Sequence, residues 1–211
     1  IPKRDWSSDV CSSDLLYQLQ NQPAKAEEIY KRYLGQEPGS EDGILALAEL
    51  HLDSNDPQGA AALLEDFVKE SPESDRAWET LGQAYTNLGR TNKAADAYKH
   101  AYALNPEDPD LLKDYAQALF FDNQVDDAVK AYEKVLEQDA NDSATLLRLG
   151  QLYRRQGSFN QSRQTLQKLL QLNGNNIEAL YELAMADRED GQLDDSAKRF
   201  ADIRSEEHTS E

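Results

Sequence analysis

Residues 75–108 read DRAWETLGQAYTNLGRTNKAADAYKHAYALNPED, and the reading of this stretch decides the fold. Trp78, Leu81, Gly82 and Tyr85 recur at the spacing of one helix face, and Ala94, Ala97, Tyr98 and Ala101 do so again after a break at Gly89. Asn105-Pro106 closes the second segment, because proline donates no amide hydrogen and holds the residue before it out of helical geometry. The stretch is therefore two short amphipathic helices joined by a turn. Trp78 is the largest side chain on the packing stripe and is expected to be the most sensitive core position.

The same pattern returns every 34 residues in both directions without an insertion. It divides the chain into repeats at about 15–40, 41–74, 75–108, 109–142, 143–176 and 177–203. The first is entered partway through a helix near Leu16-Tyr17-Gln18-Leu19, with a partner helix from about Pro23 to Gln36. Small residues stand at Ala48, Gly82, Ala116, Gly150 and Ala184 on first helices. A second small series, Ala26, Ala60, Ala94, Ala128, Ser162 and Ser196, lies on second helices, so that paired helices can approach closely while larger neighbours fill the holes. Ala140 and Gly174 replace the proline found at the other junctions.

Tryptophan through leucine-glycine and tyrosine to alanine, aromatic and proline is the pattern of the tetratricopeptide repeat, and the chain resembles that family throughout 15–203. The resemblance implies an all-α, right-handed superhelical solenoid of helix hairpins, with an inner, concave face made mainly by the first helices. It also implies a protein–protein interaction scaffold rather than an enzyme. His51 and Asp187 are polar departures from the pattern at the aromatic position, where the fourth repeat has Leu119. His51 is expected to be a packed or half-exposed structural residue, and Asp187 is expected to face solvent, since burying an unpaired carboxylate is costly.

The two ends read differently. The final RSEEHTSE can be encoded by AGATCGGAAGAGCACACGTCTGAA, and the reverse complement of that string, read one base on, encodes SDVCSSDL, residues 8–15. Both ends resemble a translated sequencing adapter, so residues 1–14 and 204–211 are expected to be non-native and are set apart from the array. Cys11, the only cysteine, lies in that segment, which leaves no thiolate metal site, disulfide or cysteine nucleophile in the array. Without three basic and six acidic residues at the ends, 19 basic and 34 acidic residues remain, a net charge of −15. Such a charge opposes nucleic acid, whose binding rests on cationic side chains against phosphates. No run approaches the roughly 18 apolar residues of a membrane helix.

The array contains no phosphate-binding glycine loop, no dinucleotide fingerprint and no zinc-protease motif, and it implies no cofactor. Asp126-Asp127 and Asp194-Asp195 each open a second helix, where carboxylates stabilise exposed amides and the positive dipole end. Once the packing stripes are removed, the first helices of the fourth to sixth repeats leave a second stripe. Lys113, Gln117, Phe120, Phe121, Arg148, Gln151, Arg154, Arg155, Tyr181, Met185 and Arg188 form it, and these are the candidate peptide-binding residues. Arginines beside aromatic and methionine side chains are the usual composition of binding anchors. They point to a protein or peptide partner: an acidic segment carrying apolar anchors. Some tetratricopeptide proteins grip a terminal carboxylate with a lysine and an asparagine one turn apart. Lys113 is followed here by Gln117, which does not support that clamp.

Two alternatives to a free-standing scaffold are a recruiting arm of a larger enzyme, of glycosyltransferase or sulfotransferase type, and an exported assembly factor. The run from Ala77 to Leu119 resembles the repeat domain of cytochrome c maturation proteins.

Overall fold

Ser40, Ser74, Asp108, Asp142 and Asn176 lie 34 residues apart, and each begins a helix. Their side-chain oxygens accept from the backbone amides of Gly43, Ala77, Leu111, Thr145 and Ala179. A cap of this kind satisfies an amide that has no partner in the first turn and contributes about 0.5–2 kcal/mol. The computed structural model describes residues 23–209. The capped helices are α2 (Glu41–Asp53), α4 (Asp75–Asn87), α6 (Pro109–Phe121), α8 (Ser143–Arg155) and α10 (Ile177–Glu189). Alternating with them are α1 (Pro23–Leu34), α3 (Pro57–Glu70), α5 (Thr91–Leu104), α7 (Val125–Gln138), α9 (Phe159–Leu172) and α11 (Leu193–Thr209). The described residues are all-α, with no strand among them, and they form a solenoid of helix hairpins. The helix expected near Leu16–Leu19 lies outside the described residues.

Among the described residues each hairpin turns on a left-handed residue, again at the 34-residue period: Asn55, Gly89, Asn123, Gly157 and Gly191, with φ between 58° and 83°. Only glycine, or an asparagine that bonds locally, adopts this geometry at low cost. The amides that follow close onto the preceding helix, as in Arg90 N to Tyr85 O and Ser158 N to Tyr153 O at 2.9 and 2.8 Å. Gly89 and Gly157 therefore end their helices as the sequence requires.

The described residues up to Pro106 and those from Glu107 onward form two compact units. In the first, Ala26, Tyr30 and Leu47 make a core cluster, and Leu64 and Ala77 are fully buried. In the second, Leu146, Leu166, Leu169, Ala179 and Leu183 form the corresponding cluster. The small positions are where helices touch. A methyl group on Gly82 would come within 2.9 Å of the Tyr98 ring, and one on Gly150 within 2.6 Å of Leu166. Ser162 and Ser196 do more than stay small: their buried hydroxyls donate to the carbonyls of Gly150 and Ala184 at 2.8 and 2.9 Å. Successive hairpins are also tied by polar contacts. Tyr85 donates to Glu65 in the first unit, and Tyr153 donates to Glu133, at 2.6 Å, in the second.

Two sequence expectations are corrected. Trp78 is half-buried, not the deepest residue; its indole N–H donates to the Pro72 carbonyl at 2.9 Å and its ring stacks on His100 with centroids 4.4 Å apart. An indole needs a partner for its N–H, and the carbonyl that supplies it lies at the hairpin edge. Asp187 does not face solvent: it is 1% exposed, between Arg163 of α9 at 3.3 Å and Arg199 of α11 at 2.6 Å. Paired in this way a carboxylate tolerates burial, which a lone one does not. His51 is half-buried and bonded to Asp56 at 2.9 Å, in keeping with a structural role. Asp126-Asp127 and Asp194-Asp195 occupy the first turns of α7 and α11, also as expected.

Candidate functional site

The candidate residues lie on α6, α8 and α10, all within the unit of residues 107–211. Each of these helices carries two stripes. Leu112 and Leu119, Leu146 and Leu149, and Leu183 with Ala184 turn into the core and are buried, which commits the remaining side of each helix to its neighbours or to solvent.

Four of the candidates meet at the end of α6. Phe120 is buried, and the guanidinium carbons of Arg148 and Arg155 lie 4.9 and 4.6 Å from its ring centroid. A guanidinium against an aromatic face is attracted by the ring quadrupole and stays partly hydrated. Phe121 packs edge-on against Phe120 at 5.6 Å and leaves 49% of its surface exposed. Gln117, one turn earlier on α6, is exposed. The result is an aromatic pair bordered by two cations, with one ring open to a partner.

A second group joins α8 to α10. Arg154 is engaged by two carboxylates, Nε to Glu182 at 2.9 Å and Nη1 to Glu189 at 2.7 Å. Gln151 is buried and donates to Glu178 and Glu182 at 3.1 and 3.2 Å, while accepting from Arg148 at 3.1 Å. These residues hold one first helix against the next. The sequence stripe does not distinguish this role from partner binding, because the three glutamates lie 27 to 35 residues further along.

The other candidates are separate. Lys113 pairs with Asp142 at 2.9 Å. Burial alone would raise the Asp142 carboxyl, but the Lys113 ammonium and the Thr145 amide together hold it below its ordinary range. Burial raises the neighbouring Asp114, with the charges of Asp110 and Asp108 adding to the effect. Tyr181 is 48% exposed but leans edge-on against Phe200 of α11 at 5.8 Å. Met185 is half-buried and Arg188 is exposed at the end of α10. Among the described residues no group of three or more histidine, cysteine or acidic side chains could hold a metal ion. No described helix is long and apolar enough to cross a membrane.

The sequence matches the Cilia and flagella-associated protein 70 C-terminal domain family over residues 3–211. A curated relative, the cytochrome c-type biogenesis protein CycH of Pseudomonas aeruginosa, is 31% identical over 83 residues, which is 39% of this chain and 20% of that protein. The chain thus spans about a fifth of the length of the curated relative it matches. Among solved structures, YrrB, described as a TPR protein with an unusual peptide-binding site, aligns with a TM-score of 0.74 at 15% identity, covering 84% of this chain and 92% of that one. A MamA fragment, residues 41 to the end, from Desulfovibrio magneticus RS-1 aligns with a TM-score of 0.70 at 16% identity, covering 87% and 96%. At these identities the structural likeness shows the fold alone.

Proposed function

We propose, for a chain that belongs to the Cilia and flagella-associated protein 70 C-terminal domain family and folds as a tetratricopeptide array, that it is a non-catalytic scaffold holding a segment of a protein partner on the first helices of its fourth to sixth repeats. The observation that carries this reading is Phe121: a half-exposed aromatic ring beside a second ring that two arginines cover. Exposed aromatics next to arginines are where binding energy concentrates in protein interfaces. The partner is an acidic segment, extended or helical, with an apolar side chain that seats on Phe121. Arg155, Arg148 and Arg188 steer its carboxylates, and Met185 and Tyr181 extend the apolar contact. Arg154 and Gln151 keep α8 and α10 in register and so position the arginines around them. Peptide binding by the structurally similar YrrB supports this class of function.

Selection from a random peptide library, followed by titration at low and moderate salt, tests the reading. Acidic peptides with an aromatic or aliphatic residue are expected to be enriched. Phe121→Ala should weaken them by at least about tenfold, the loss of a buried anchor. Arg155→Ala should weaken them only about two- to fivefold, mostly through a slower association that salt also produces. Equal enrichment of basic and acidic peptides, or indifference to Phe121→Ala, would overturn the site.

The likeness to CycH supports a second reading, the repeat domain of an exported assembly factor such as a cytochrome c maturation component. Capture of unfolded apocytochrome segments by the purified chain, competed by the selected peptides, would favour it over a general scaffold.

A further inference from the structure

A cavity of about 300 Å³ opens between α3, α4 and α5, in the unit of residues 1–106 and apart from the site above. Its apolar lining is Val68, Leu81, Ala97 and the indole of Trp78. At the places 34, 68 and 102 residues on, Trp78 is matched by Leu112, Leu146 and Leu180, of which the first two are almost wholly buried. Trp78 is half-buried instead, with His100 stacked on its ring, 22° from parallel, and its N–H satisfied by Pro72. Sixty-eight residues along, the equivalent of the Pro72 carbonyl, that of Ala140, is taken by Lys168, which stands at the place of His100. The third repeat thus spends its indole N–H on a bond that a lysine makes elsewhere, and the stacked Trp78–His100 pair forms part of the cavity wall.

The charges around the cavity have one member left over. Lys93 pairs with Glu65 at 3.3 Å, and Glu65 also accepts from Tyr85. Lys69 pairs with Asp66 at 2.8 Å. Asp96 lines the cavity, one helical turn before His100, and meets no cation or donor among the described residues. An aromatic wall, an aliphatic floor and one unpaired carboxylate complement a long side chain with an apolar stem and a cationic head.

We infer that this cavity receives an arginine side chain from an extended segment of a protein partner, its stem on Val68 and Leu81 and its guanidinium between Trp78 and Asp96. Arginine suits the place better than lysine because a planar, weakly hydrated guanidinium stacks on an indole.

The test is a titration of the full chain, followed by the indole N–H resonance of Trp78, with the peptide acetyl-Ala-Ala-Arg-Ala-Ala-amide and with its leucine and glutamate counterparts. Trp78→Leu assigns the resonance and restores the residue that other repeats carry, so it leaves the fold intact. The arginine peptide should shift the indole resonance saturably, and the other two should not. Asp96→Asn should raise its Kd by about fivefold or more. Glu137→Gln, an exposed change elsewhere, should leave the Kd alone, and so should Phe121→Ala, which separates this site from the proposed function. Equal shifts from the leucine or glutamate peptide would mean an apolar or anionic occupant. Equal losses in Asp96→Asn and Glu137→Gln would mean general attraction to an acidic chain. Either result, or no shift with any peptide, overturns the inference.

Discussion

Leu166→Ala is expected to lose about 3–5 kcal/mol of stability, the upper part of the range for deleting a buried leucine. Leu166 is wholly buried and belongs to the cluster with Leu146, Leu169, Ala179 and Leu183, drawn from α8, α9 and α10. Beneath it lies Gly150, which has no side chain to move into the space. The void would therefore stay open, and the cavity contribution would add to the lost burial. Because each hairpin is supported only by its neighbours, the loss should reach α10 and α11 as well as the fifth repeat. Urea titration followed by circular dichroism measures it, with the slope compared so that a lost two-state transition is recognised. Leu172→Ala, at a side chain 47% exposed on the same helix, should change stability by less than about 0.5 kcal/mol. A change below about 1 kcal/mol for Leu166→Ala would mean that the fifth and sixth repeats do not pack as described.

The second large effect concerns the carboxylate inside the sixth repeat. Asp187 is held by Arg163 and Arg199, and Arg163 also binds Asp190 at 2.8 Å and Asn160 at 2.6 Å. Removing one arginine leaves the other in place. Arg163→Ala and Arg199→Ala should thus each cost about 1–2 kcal/mol, as loss of one charge-assisted hydrogen bond does. Removing both leaves a buried charge without compensation, for which about 3–5 kcal/mol is expected. The double variant should exceed the sum of the singles by about 0.5–3 kcal/mol, since the two arginines share one partner. Asp187→Tyr in the double background should recover much of the loss, because Tyr85 and Tyr153 occupy the same place in the third and fifth repeats. Strict additivity in the denaturation cycle, or no recovery by tyrosine, would show that the carboxylate is not the centre of this network.

The candidate site was legible in part for a physical reason visible residue by residue. Phe121 and Arg155 stand out because aromatic and cationic residues are unusual on a solvated helix face of an acidic chain. Their neighbours Arg154 and Gln151 carry the same pattern, yet their side chains are consumed by Glu178, Glu182 and Glu189 of the next first helix. A stripe on one helix records which side faces outward; it does not record what the adjoining helix places there.

The sequence by itself determined the elements that depend on nearby residues. The 34-residue period, the capping oxygens at Ser40, Ser74, Asp108, Asp142 and Asn176, and the turn residues from Asn55 to Gly191 act within a few positions of themselves. Hydrogen bonds three or four residues apart and steric limits on φ need no tertiary context. Only the tertiary structure decided the state of Asp187, the half-burial of Trp78, the hydroxyl bonds of Ser162 and Ser196 and the engagement of Arg154. Each depends on a group brought from another helix, and burial is tolerated or not according to whether that group completes a charge or a hydrogen bond.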